Sequence, residues 1–205
     1  METTTVLFAA LRLQAIFDVV LGLAVIEAFR QFVFDKPVTD DKCAAQSIHW
    51  DRLPALLALV LLIVPFYQGI GEYIHAVYQV GEGNHPNPYG VFLLIDWGVF
   101  MLESSLFFVM ARRLSSVDWG SFYGAVLILL AVDSAWGAFL LLTHYQEVVS
   151  WLVLNLCSLP VFFVLWRCRH KPRLRKLGAV IGCCAVAVRT VVDYSTSWDF
   201  YFPLK

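Results

Sequence analysis

The sequence predicts an all-α integral membrane protein, a six-transmembrane-helix bundle with both termini on the outer, non-cytoplasmic side. Three observations predict it. First, 60% of the 205 residues are hydrophobic and the mean hydropathy is +0.70, against roughly 45–50% apolar residues in soluble domains. Second, the apolar residues fall into six windows long enough to cross about 30 Å of hydrocarbon, which takes about 20 helical residues at 1.5 Å each. Third, the basic residues are confined to alternate links, as the positive-inside bias requires of a polytopic chain.

The windows are 6–33, 53–80, 91–111, 119–143, 148–166 and 177–201, within one polytopic domain, 1–205. They are continuously apolar rather than alternating, so helices and not a barrel satisfy the backbone in lipid. The first window has no basic segment before it and no small-residue cleavage site after it, so it reads as a helix and not a removable signal. Pro54 and Pro65 in the second window and Pro160 in the fifth predict interruptions that membrane helices tolerate when neighbours re-satisfy the freed backbone groups. The sixth ends in "SWDFYFPLK" (197–205), whose aromatics suit an interfacial cap.

Of the 15 Lys and Arg residues, 12 lie in three links: Arg30, Lys36, Lys42 and Arg52; Arg112 and Arg113; Arg167, Arg169, Lys171, Arg173, Arg175 and Lys176. The other links, "GEGNHPNPYG" (81–90) and "THYQEVVS" (143–150), hold none. The three basic links are therefore expected in the cytoplasm. Cys43, Cys157, Cys168, Cys183 and Cys184 avoid the outer links and form no CxxC, so small-residue packing is expected of them rather than disulfide, redox or metal chemistry. Gly22, Gly98, Gly120, Gly124, Gly137 and Gly182 allow close helix contact within a protomer or in a homo-oligomer.

The informative residues are the charges inside the windows. Counted at 1.5 Å per residue, Asp18, Glu103, Asp133 and Arg189 all fall about 17–18 Å from their starting face, near the middle of the bilayer. Arg12, Asp96 and Asp193 fall outward of that layer, with Gln68, Glu72 and His75 nearer the outer face. Each midplane charge costs at least about 2.5–3.5 kcal/mol, so such a cluster implies mutual pairing, water, or both. Arg189 and Asp193, four apart, share a helical face and can pair. The acids outnumber the bases, so either some carboxyls are protonated or a cavity holds cations. The alternative is polar glue that fixes helix order without a ligand.

Two further patterns bear on function. "LLIDWGVFML" (93–102) and "LAVDSAWGAFLL" (130–141) share an Asp closely followed by Trp-Gly on consecutive helices, which inverted-repeat ancestry or coincidence would equally explain. "RCRHKPRLRK" (167–176) suits contact with anionic lipid headgroups, at about 1 kcal/mol per basic residue, or docking of a cytoplasmic protein through Arg167, Arg169, Arg173, Arg175 and Lys176. His75, His85 and His144 match no compact metal motif, while Glu72 and His75, three apart, suit a proton relay or a pH-sensitive gate. No cofactor, metal or nucleic-acid partner is expected.

No GxSxG, HExxH, P-loop or dinucleotide fingerprint occurs; Asp96 and Glu103, seven apart on one helix face, are the best candidates for paired-carboxylate chemistry. "RLQAIFD" (12–18) resembles the Arg-Phe-Ser-Asp motif opening the first helix of a family of six-helix potassium channels, over seven residues. It has an extra residue before Phe17, lacks the Ser, and sits at an N-terminus expected outside rather than inside; no function is transferred from it. Three functions stay open. The first is a transporter, channel or receptor-like protein that binds a small cationic or protonatable solute in an acid-rich cavity open outward, lined by Asp18, Glu103, Asp133, Arg189, Asp193, Arg12, Asp96, Glu72 and His75. The second is a membrane anchor or effector subunit, for example in stress or defence, docking a cytoplasmic partner through its basic links. The third is an intramembrane enzyme acting on a lipid or quinone, which needs an opening toward lipid.

Overall fold

A computed structural model describes residues 3–33, 48–79, 91–114, 119–142, 148–170 and 175–202. Among the described residues every regular element is helical: α1 (Thr3–Val33), α2 (Leu53–Ile74), α3 (Val91–Arg113), α4 (Trp119–Leu142), α5 (Val149–Arg167), α6 (Arg175–Thr196) and the short α7 (Trp198–Tyr201). Among the described residues five stretches, Trp50–Tyr78, Leu93–Arg113, Trp119–Leu142, Val149–Arg167 and Leu177–Thr196, are long and apolar enough to cross a membrane. The chain is thus an α-helical protein with the makings of a multi-pass membrane bundle. Most of link 35–51, all of 81–90, residues 143–147 and residues 171–174 lie outside the described residues.

The long helices close a ring in the order α1, α3, α4, α5, α6, α2, with α2–α3 and α4–α6 touching across it. Apolar residues cover the outside as well as the inside, from Ile26 and Phe29 on α1 to Val188 and Val191 on α6, which is what a bundle bathed in lipid requires. Arg30 and Arg52 stand at one end of the bundle, where α1 ends and α2 begins. There Arg52 Nη1 donates to the Gln31 carbonyl at 2.5 Å, satisfying an orphan acceptor of the α1 C-terminus, and Arg30 pairs with Glu27 at 2.7 Å. At the opposite end Tyr73, Asp96 and Trp136 meet, and Ser150 lies 3.1 Å from Ser197.

The prolines are accommodated in different ways. Pro54 sits in the first turn of α2, where no intrahelical N–H is needed. Pro65 lies inside α2 and leaves the Leu61 carbonyl, four residues back, without its helical donor. Thr190 Oγ1 of α6 donates to that carbonyl at 3.0 Å, so the proline's cost is met by the neighbouring helix and ties α2 to α6. Thr190→Val should therefore cost about 0.5–2 kcal/mol, with Thr190→Ser close to wild type. Chemical-denaturation midpoints in bilayer discs measure this; equal midpoints for all three chains would show that the bridge contributes nothing.

Glycines set two of the close approaches. A side chain at Gly182 would run into the Tyr123 ring and one at Gly178 into Trp119, so this i,i+4 pair lets α6 lie against α4, where the Tyr123 hydroxyl donates to the Ala179 carbonyl at 3.0 Å. Gly120 and Gly124 accommodate the Arg169 stem and the Trp166 ring. Gly22 and Gly98 have open space around them and shape no contact within the protomer. The helix expected over 177–201 is broken at Ser197: α6 ends at Thr196 and α7 folds back, Ser197 N–H bonding the Asp193 carbonyl at 2.9 Å. The turn lets the Tyr201 carbonyl accept from Gln68 Nε2 at 2.9 Å and packs Tyr194 on Tyr201, so the aromatic C-terminal segment caps this end of the ring.

Candidate functional site

Ionisable side chains enter the middle of the ring from α3, α4 and α6. Asp96, Glu103 and Asp193 are each 1% exposed, Asp133 2% and Arg189 3%. Each lies on the inner face of its helix, while neighbours such as Leu102 and Val188 face out, so the 3.6-residue period alone turns them inward. They form two arrangements of different character.

The first surrounds Asp96. Its Oδ2 accepts from the Tyr73 hydroxyl at 2.9 Å and the Tyr78 hydroxyl at 2.7 Å, and its Oδ1 from Trp136 Nε1 at 2.9 Å. Tyr73 also packs edge-on against Trp136 and Phe100. This carboxylate is held by three neutral donors in an aromatic nest, joining α2, its π-helical extension and α4 to α3. The two Asp/Trp-Gly segments meet here, because the Trp of the second serves the Asp of the first. The converse contact is not made: Trp97 is 45% exposed and Asp133 is served by α5.

The second is a chain across four helices. The carboxyl groups of Glu103 and Asp133 are close neighbours. Asp133 also accepts from Asn155 Nδ2, and Asn155 Oδ1 accepts from Arg189 Nη2 at 2.5 Å. Arg189 Nη1 forms an ion pair with Asp193 Oδ2 at 3.5 Å, and its guanidinium lies 5.7 Å from the Phe66 ring centroid. Tyr201 stands beside Asp193 without a hydrogen bond of ordinary geometry. Asn155 is thus the mediator: it presents its amide to the anion and its carbonyl to the cation, so Arg189 reaches Asp133 only through it.

Several polar atoms in this chain have no hydrogen-bond partner: Glu103 Oε1, Arg189 Nε and Nη1, and both carboxylate oxygens of Asp193. Such atoms are costly to bury, at about 1–3 kcal/mol each, and a bundle whose only task was packing would gain from apolar residues in their place. Arg189 is the only buried cation among the described residues, against four buried acids.

The structure thus brings together Glu103, Asp133, Arg189 and Asp193. Asp96 and Glu103 do not pair with each other, one being occupied by its three donors and the other by Asp133. Asp18, half-buried on the α1 side, has Oδ1 without a hydrogen bond. Arg12 is exposed, its guanidinium 4.2 Å from the Phe8 ring centroid. Glu72 is half-buried and His75 exposed at the end of α2. In the basic link, Arg167 is exposed and Arg169 lies 5.1 Å from the Trp166 ring centroid; Arg175 and Lys176 open α6, while Arg173, like His85, His144 and Cys43, lies outside the described residues.

Sequence reasoning missed Asn155. Its signal was present: an amide in the middle of the apolar run "WLVLNLCSL" (151–159), of the kind that hydrogen-bonds across membrane helices. The donors to Asp96 carried a weaker signal, since Tyr73, Tyr78 and Trp136 read equally well as interface aromatics. The class these features define is an α-helical bundle with five helices fit to cross a membrane and a buried, acid-rich polar chain. No family model, curated protein or solved structure matches this chain.

Proposed function

We propose that this protein is a small six-span membrane transporter, channel or receptor-like protein that binds a small cationic or protonatable solute at its buried acids, from the outer side. Its termini lie outside and its basic links in the cytoplasm. The observation that carries the reading is the closeness of the Glu103 and Asp133 carboxyls, buried away from any directly bonded cation. Two carboxyl groups this close need a positive charge between them, either one shared proton or a cation that displaces it. The same pair can therefore hold a proton or exchange it for a solute.

The neighbours have supporting roles. Asn155 orients Asp133 and transmits the field of Arg189 without neutralising the acid outright, so the pair keeps its demand for a cation. Asp193 balances Arg189, which would otherwise repel the solute. Asp18 adds a further carboxylate on the α1 side, and Asp96, fully supplied with donors, holds the frame. The 31-residue α1 would be the sixth span.

The test is cation or proton flux into proteoliposomes. Asp133→Asn keeps an acceptor for Asn155 and removes the charge, so the chain should still insert. Flux or solute binding should fall at least about tenfold, the effect of losing about 1.4 kcal/mol of differential interaction. Glu103→Gln should do the same. Unchanged flux in both variants would sink the reading.

A further inference from the structure

The Arg189–Asp193 ion pair of α6 lies under α7. Asp193 is 1% exposed and Tyr201 3%, and the Tyr201 side chain stands beside the Asp193 carboxylate. A glycine makes its seat. A Cβ at Gly69 on α2 would already touch the Trp151 ring at 3.4 Å and the Tyr201 ring at 3.7 Å, so a larger side chain there would push Tyr201 out from between α2, α5 and α6. On its other flank the ring packs on Tyr194, with centroids 4.7 Å apart.

Little holds α7 in place. A four-residue helix has no stability of its own. It is tied down by the Gln68 amide, which donates to the Tyr201 carbonyl at 2.9 Å while accepting from the Tyr194 hydroxyl at 2.9 Å, and by the Ser150 and Ser197 hydroxyls, 3.1 Å apart. Ser197, at φ −118° and ψ 29°, is the single residue between α6 and α7, so rotation there moves α7 and leaves α6 as it is. Trp198 and Phe202 face outward, 58% and 43% exposed, where a membrane interface that attracts such rings can hold α7 once it leaves its seat. Beneath it, both Asp193 oxygens and Arg189 Nε and Nη1 lack hydrogen-bond partners. Burial of these charges favours any state that admits water, whereas burial of the Tyr201 ring favours the closed one. That opposition makes a gate of what would otherwise be a fixed cap.

We propose that α7 is a lid hinged at Ser197: it admits water and small hydrophilic solutes to Asp193 and Arg189 when Tyr201 leaves its seat, and shuts them out while Gln68 holds it. The lid governs access to the buried layer whatever binds there. It is read without any flux measurement, so it and the cation site can fail separately.

Carboxyl labelling of the full chain in bilayer discs tests it, with a water-soluble carbodiimide and glycine ethyl ester as the probe and peptide mass spectrometry as the readout. Asp193 should be labelled more slowly than the exposed Asp199 and faster than Asp96, which lies under its own three donors. Gln68→Ala removes the donor to the Tyr201 carbonyl and should raise the Asp193 rate about tenfold, with the Asp96 rate unchanged. Ser150→Cys combined with Ser197→Cys puts two thiols where the hydroxyls stand 3.1 Å apart. Closed as a disulfide, they should lower the Asp193 rate about tenfold, and reduction should restore it in the same protein. If one variant fails to fold or the disulfide does not close, the other decides. An unchanged Asp193 rate in Gln68→Ala, an equal rise at Asp96, or equal Asp193 rates before and after reduction of the closed disulfide would overturn the proposal.

Discussion

Arg189→Met should destabilise the bundle by about 3–5 kcal/mol, the cost of breaking a buried ion pair from one side. The substitution leaves Asp193 without its ion-pair partner at 3.5 Å and Asn155 Oδ1 without its donor, while the acids of the layer lose the one cation buried among the described residues. Arg189→Lys keeps the charge but not the planar fork that serves Asn155 and Asp193 together, so its loss should be smaller. Arg189→Met combined with Asp193→Leu should recover much of the single-variant loss, since removing both members of a buried pair is far less costly than removing one. Unfolding midpoints of the four chains in bilayer discs make the comparison. An Arg189→Met chain as stable as wild type would show that the polar chain does not hold α5 and α6 in place.

Asp96→Ala should cost on a similar scale by a different route. Three buried donors, the Tyr73 and Tyr78 hydroxyls and Trp136 Nε1, share this one acceptor, and each orphaned donor costs about 1–3 kcal/mol. The rings cannot turn away easily, because Tyr73 packs edge-on to Trp136 with centroids 4.9 Å apart. Asp96→Asn retains one acceptor oxygen and should fall between. Tryptophan emission offers a local reading beside the global midpoint: with its indole N–H released, Trp136 should shift in Asp96→Ala and much less in Asp96→Asn. A silent spectrum with an unchanged midpoint would remove Asp96 from the framework.

The contrast between Asp96 and Asp133 shows how far the sequence could be read. Both stand one helical turn or more inside apolar windows, and both were legible as buried charges because a carboxylate in such a run has no other explanation than a partner or a pathway. Their partners were not legible. Asp96 and Asp133 share the same local motif, yet one is satisfied by aromatic donors from α2 and α4 and the other by an amide from α5 and a carboxyl from α3. Helical period fixes which side of its own helix a residue occupies, but not which neighbour faces it; that depends on the order of helices around the ring.

Arg12 and Arg189 make the same point. Each interrupts an apolar window, Arg189 in the midplane layer and Arg12 outward of it, and both were expected to line the cavity. Arg12 is exposed on α1 beside Phe8, where a long stem can carry its charge along the surface, whereas Arg189 is enclosed between α5, α2 and its own Asp193. The rotation of α1 about its axis, set by packing against α2 and α3, separates them.

The sequence by itself determined that this is a helical bundle with apolar helices fit for a membrane, where most of those helices begin and end, and that acids and an arginine lie inside them. It did so because hydrophobic length and helical period are local properties. Only the tertiary structure decided that Glu103 meets Asp133, that Asn155 stands between acid and arginine, that Thr190 repairs the carbonyl freed by Pro65, and that α7 folds back to cap one end of the ring. These are contacts between residues tens of positions apart, set by how the helices pack into one closed ring rather than by any stretch of chain alone.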